Sequence, residues 1–100
     1  MMMIEYHPAV QRDFNDAIAW YDAEGGFNLG DRFEAEFRAC VAAIRMAPRR
    51  FPFFQNSDVF RRAQLPHFPW VIVYRIKSDI VRIVILRHSR RHPHFGMRRW

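Results

Sequence analysis

Two apolar, β-branched runs, residues 70–76 and 80–87, stand three residues apart, and this spacing constrains the chain more than anything else in it. Val, Ile, Tyr and Trp suit a pleated, half-buried surface. Lys77-Ser78-Asp79 is too short for the crossover that a parallel pair requires, so the two runs form an antiparallel hairpin. Residues 60–65 read as a third strand beside it, set off by Pro66 and Pro69. Successive strand side chains alternate between faces, which puts Arg61 and Arg62 on opposite sides. Trp70, Ile72, Tyr74 and Ile76 share one face, and Val71, Val73 and Arg75 the other. The same rule sets Ile80, Arg82, Val84, Leu86 and His88 against Val81, Ile83, Ile85 and Arg87.

The first half reads as helix. Residues 2–6 form a short first strand, and Pro8 is tolerated in a first helical turn, where its missing N–H is no loss. Val10, Phe14, Ala17, Ile18 and Tyr21 recur at helical spacing, with Asp13, Asp16 and Asp22 largely off that stripe and Trp20 near its edge. Gly25-Gly26 ends this helix. A second begins near Asn28 and runs to Met46, burying Leu29, Phe33, Phe37, Cys40, Val41 and Ile44. Glu34 and Arg38 stand four apart on its outer face, acid before base, and Arg45 complements the dipole at its C-terminal end. The expectation is one α+β domain spanning residues 1–100: a small antiparallel sheet in the order β-α-α-β-β-β, with a helical hairpin on one face. The loop Arg49-Arg50-Phe51-Pro52-Phe53-Phe54 should tuck its aromatics under the sheet edge. Such a sheet would have its other face partly open and carrying arginines.

Charge separates the two halves. Residues 1–44 hold eight acids and three arginines, a balance of −5, whereas residues 45–100 hold two acids and thirteen bases, +11. Fifteen of the sixteen bases are arginine, whose guanidinium fork takes phosphate or carboxylate bidentately. An arginine-rich genome composition would give the same count; the asymmetry points to an anionic partner, either nucleic acid or an acidic protein segment. The one cysteine, Cys40, excludes an internal disulfide and lies among helical apolar positions as a small hydrophobe. No apolar run reaches the roughly 18–20 residues of a membrane span, and the N-terminus lacks the pattern of a signal peptide, so a cytoplasmic protein without membrane contact is expected.

The chemistry available to the residues lies at the end of the last strand. His88, His92 and His94 are close in sequence but lack structural zinc spacing, and Arg90 and Arg91 would repel a cation, so neither metal nor cofactor is expected. RNA cleavage by a 2′-hydroxyl needs a base, an acid and cations for the crowded phosphate, which His88 with Arg90 and Arg91 could supply. The same residues could equally bind a carboxylate-rich protein.

Three marks together resemble the RelE/ParE superfamily of toxins from bacterial type II toxin–antitoxin pairs, most closely its ParE branch. They are Trp20-Tyr21 near the end of helix one, Arg62 with Phe68-Pro69-Trp70-x-Ile72-x-Tyr74-Arg75, and His88-x-x-Arg91-x-Pro93. The resemblance covers nearly the whole chain. It implies a growth inhibitor held in a hetero-oligomer by a cognate antitoxin protein. RelE-like members cut mRNA on the ribosome with basic sheet residues and a C-terminal Arg and Tyr; ParE-like members lack that set and poison DNA gyrase. Carried over by motif, a RelE-like catalytic set would be Arg62, Arg90 and His88. Val71 stands where a second sheet arginine is expected, and Phe95-Gly96 near the tyrosine. Those departures favour the gyrase-directed branch, with ribosome-bound mRNA as the alternative target and a non-toxic basic binding module as a third possibility. Arg61, Arg75, Arg82, Arg87, Arg91, His92 and Phe95 are the candidate contacts for target or antitoxin.

Overall fold

A computed structural model describes residues 2–90 and 99. Its elements are β1 (Met3–Tyr6), α1 (Pro8–Glu24), α2 (Leu29–Met46), β2 (Phe60–Gln64), β3 (Trp70–Lys77) and β4 (Ile80–His88). The α+β class and the element order are as the sequence predicts. The sheet order is β1-β4-β3-β2, with β2–β3 and β3–β4 antiparallel. The first strand differs from the expected all-antiparallel sheet: β1 joins the free edge of β4 in parallel, so the sheet is mixed. A parallel neighbour needs a long connection, and the helical hairpin with β2 and β3 supplies it.

Local chemistry sets the helix ends. His7 caps α1, its Nδ1 accepting the Ala9 N–H at 3.0 Å, with Pro8 in the first turn. At the hairpin turn Gly26 takes φ +83°, and Gly30 lies against the Asp22 carboxylate, which a Cβ there would meet at 2.2 Å and displace. The expected Glu34–Arg38 pair forms at 2.8 Å. Arg45 does more than sit at a helix end: its Nε donates to the Met2 carbonyl at 2.8 Å and ties α2 to the start of the chain.

The core lies between the hairpin and one sheet face. Val10, Ala17, Tyr21, Phe33, Phe37, Val41 and Ile44 pack on Ala63, Leu65, Ile72, Tyr74, Val81, Ile83 and Leu86. Phe33 stands at its centre, with ring centroids of Tyr21, Phe68 and Trp70 5.3–5.5 Å away. Cys40 is half-buried, and burial pushes its thiol up to about 11. Among the described residues, no helix is long and apolar enough to cross a membrane.

Strict alternation fails in β4. Val73 pairs with Ile85 and Tyr74 with Ile83, leaving Val84 as an extra residue, a β-bulge. Before the bulge Val81 and Ile83 face the helices; after it Leu86 does, and His88 with it, its ring against Trp70. Arg82 and Arg87, which simple alternation puts on opposite faces, therefore share the face away from the hairpin. Sequence periodicity carries no signal for the insertion, because every residue from Ile83 to Leu86 is apolar.

Candidate functional site

The face away from the hairpin carries a second apolar cluster of Phe54, Phe60, Val71, Val73, Val84 and Ile85. The expected tucking of the aromatic loop is seen in Phe54, which is buried there, whereas Phe51 packs against the main core. Arginines rise from this floor. Arg87 lies 5.3 Å over the Phe54 ring and Arg75 5.7 Å over Phe60, and burial lowers the Arg87 guanidinium from its ordinary value. One row crosses all four strands: Phe60, Arg75, Arg82 and Glu5 are successive ladder partners. Glu5 pairs with Arg82, while the buried Nε of Arg75 has no hydrogen-bond partner among the described residues. Exposed Arg62 stands one strand away on the same face, opposite Val73.

Arg61 points the other way and is held by its own loop. Its Nη1 donates to the carbonyls of Phe51 at 2.7 Å and Arg49 at 3.2 Å, and its guanidinium lies 4.0 Å over Phe53.

At the far end of β4 the sheet meets α1 in a cleft of about 510 Å³. Arg12, Asp16 and Trp20 line one wall, and Trp70, Arg87 and His88 the other. The His88 ring stands edge-on to Trp70 at 5.4 Å, and the Trp70 indole N–H donates to the Tyr21 hydroxyl at 2.9 Å. His88 Nδ1 accepts the backbone N–H of Arg90, which is exposed in the turn after the strand. Arg99 closes the cleft: its two Nη atoms donate to the Asp13 carboxylate at 2.5 and 3.3 Å. This Arg99–Asp13 pair is absent from the sequence-based candidates, which set Asp13 outside the α1 stripe. The structure places the Asp13 side chain at 9% exposure, against the sheet. Its signal is a carboxylate three residues after Val10 and four before Ala17, at stripe spacing.

The expected catalytic set does not converge. Arg62 lies on the open face and His88 on the hairpin side of the sheet, with Arg90 in the turn beyond. Val71 is buried in the open-face cluster. Arg75, Arg82 and Arg87 are brought together with Arg62, whereas Arg91, His92 and Phe95 lie outside the described residues.

A family model described as the ParE toxin of the type II toxin–antitoxin system parDE matches residues 4–93. A solved structure, described as the chromosomal ParDE TA system from P. aeruginosa, superposes with a TM-score of 0.76 at 15% identity. It covers 88% of this chain and 96% of the other, a likeness of fold. No curated protein matches the chain.

Proposed function

Because this chain belongs to the ParE toxin family of type II toxin–antitoxin systems, we propose that it arrests growth by binding DNA gyrase and that a cognate antitoxin neutralises it. The separation of Arg62 from His88 across the sheet carries the choice of target. Cleaving RNA requires an acid, a base and a cation within hydrogen-bond reach of one phosphate, about 3 Å each. Two side chains on opposite faces of a sheet cannot meet that condition. A binding poison needs no such convergence; it needs exposed cations and rigid aromatic anchors. The cleft at the end of β4 and the arginine face offer both, with Arg90 in the turn after the strand; Arg91 and His92, next in sequence, are further candidate contacts.

Neutralisation follows from charge and open edges. The C-terminal 56 residues carry +11, a self-repulsion that an acidic segment relieves. β1 and β2 are the edge strands of the sheet; the outer side of β2 is partly taken by the 52–54 loop, where the Arg62 N–H donates to the Pro52 carbonyl and the Phe54 N–H to the Phe60 carbonyl. Such edges accept an added strand, and an apolar floor beside arginines accepts an amphipathic helix. Controlled induction tests the reading in cells. Growth arrest should begin with the DNA-damage response and be prevented by co-expression of the neighbouring gene; arrest that begins with cut mRNA and halted translation contradicts it.

A further inference from the structure

We propose that Asp13 is a positioning residue for toxicity: its carboxylate fixes Arg99 at the end of β4, and the cleft that meets the target exists in its active shape only while this clasp is closed. The inference rests on the reading of the chain as a growth-inhibiting toxin, and on the geometry of the cleft between α1 and the end of β4.

Four contacts define the clasp. Arg99 meets Asp13 through both Nη atoms, a two-point contact that fixes direction as well as distance. Arg99 Nη1 also donates to the Val84 carbonyl at 3.3 Å, and Asp13 Oδ2 lies 3.5 Å from the Leu86 N–H. These backbone groups sit just beyond the point where β1 stops: the β1 ladder ends at Ile83, whose carbonyl takes the His7 N–H. The ion pair thus continues the hydrogen bonding of β4 where the neighbouring strand gives out, at the bulge. It joins residues 86 positions apart in sequence, setting Arg99 in one cleft with His88, Arg87 and Trp70.

A purely structural role would call for a different residue. Asp13 stands at stripe spacing on α1, where an apolar side chain would extend the core between Val10 and Ala17. A partly buried ion pair such as this one is generally no better for stability than well-packed apolar residues in its place, while its fixed geometry can specify one arrangement. Neither Asp13 nor Arg99 belongs to either apolar cluster. The pair holds Arg99 as a wall of the cleft beside the cations Arg12 and Arg87.

Stability and toxicity should therefore part company. The test compares Asp13→Asn, Arg99→Gln, Asp13→Glu and the double variant Asp13→Leu/Arg99→Met, scoring growth arrest at equal expression, melting temperature and antitoxin affinity. The expected result has four parts. Both single neutral variants lose about tenfold or more of growth inhibition; the double variant loses no more than either single; the double variant melts at or above the wild-type temperature; and Asp13→Glu recovers part of the activity. Antitoxin affinity should stay within about twofold. Full toxicity in Arg99→Gln, or activity losses that follow melting temperature through the series, would overturn the clasp. A wild-type chain that fails to arrest growth removes the toxin reading and the clasp with it, whereas a toxic wild type with toxic variants removes the clasp alone.

Discussion

Arg75 and Arg82 are direct cross-strand partners on the open face of the sheet. Like charges in that position repel and destabilise by some tenths of a kcal/mol. Glu5 compensates Arg82 from the neighbouring strand, while Arg75 rests on the ring of Phe60. Arg75→Gln is expected to raise stability by about 0.5 kcal/mol at low ionic strength, an advantage that should shrink as salt screens the pair. Urea unfolding of both proteins at two salt concentrations measures this. A variant less stable at low salt would show that Phe60 contact, not repulsion, dominates at Arg75.

Phe33 should be the costliest side chain to remove. It is fully buried and packs against rings from α1 (Phe14 and Tyr21), the β2–β3 connection (Phe68) and β3 (Trp70). Phe33→Ala should lose about 3–5 kcal/mol, transfer energy plus an unfilled cavity. A loss under 1 kcal/mol in denaturant unfolding would mean that the hairpin is not seated on the sheet as described.

Alkaline pH should loosen the fold through two groups. Desolvation by burial raises the Tyr74 hydroxyl from 10.0 to about 12, and that hydroxyl donates to the Pro48 carbonyl at 2.6 Å. Cys40 rises from 9.0 to about 11 for the same reason, with a smaller contribution from Glu36. Both groups ionise more easily in the unfolded chain. Their stabilisation is full below pH 9 and is lost between pH 9 and about 11 for Cys40, and between pH 10 and about 12 for Tyr74. Denaturant midpoints should fall across this window, and Tyr74→Phe should flatten the upper part of the fall while lowering stability by about 1 kcal/mol at neutral pH through the lost hydrogen bond. A midpoint constant to pH 12 would contradict both assignments.

Much of this was legible in the sequence because burial imposes period. The helical stripe from Val10 to Tyr21, the α2 stripe through Phe33, Phe37, Val41 and Ile44, and the alternation of Trp70, Ile72 and Tyr74 all reappear as buried or core-packed faces. Two features were hidden for physical reasons. The Val84 bulge lies inside an unbroken apolar run, where an inserted residue changes no polarity, yet it decides that Arg82 and Arg87 share a face. The parallel docking of β1 depends on partners some 75 residues away, which a local pattern does not encode. The site was half legible. Residue types pointed to the strand arginines and His88, but alternation could not show that Arg61 is taken up by the carbonyls of Arg49 and Phe51. Nor could it show that Asp13 waits for Arg99.

Association with the antitoxin should depend on salt mainly in its forward rate. Charges at a rim steer encounter, whereas apolar burial sets how long a complex lasts. Kinetics against the neighbouring gene's product at several salt concentrations should show association slowing about tenfold or more with added salt and dissociation changing little. A salt effect confined to dissociation would remove the steering role of the arginines, and no binding would remove that gene pair as a toxin–antitoxin system.

The most direct measurement of the target is made with purified components. The chain is added in parallel to gyrase with supercoiled or relaxed DNA and to ribosomes programmed with a defined mRNA, alongside the Arg90→Ala/Arg91→Ala variant. Inhibited supercoiling or trapped cleaved DNA, intact mRNA, and a folded variant that loses most of the gyrase effect are expected. Codon-positioned cuts in the mRNA with gyrase unaffected would contradict gyrase as the target.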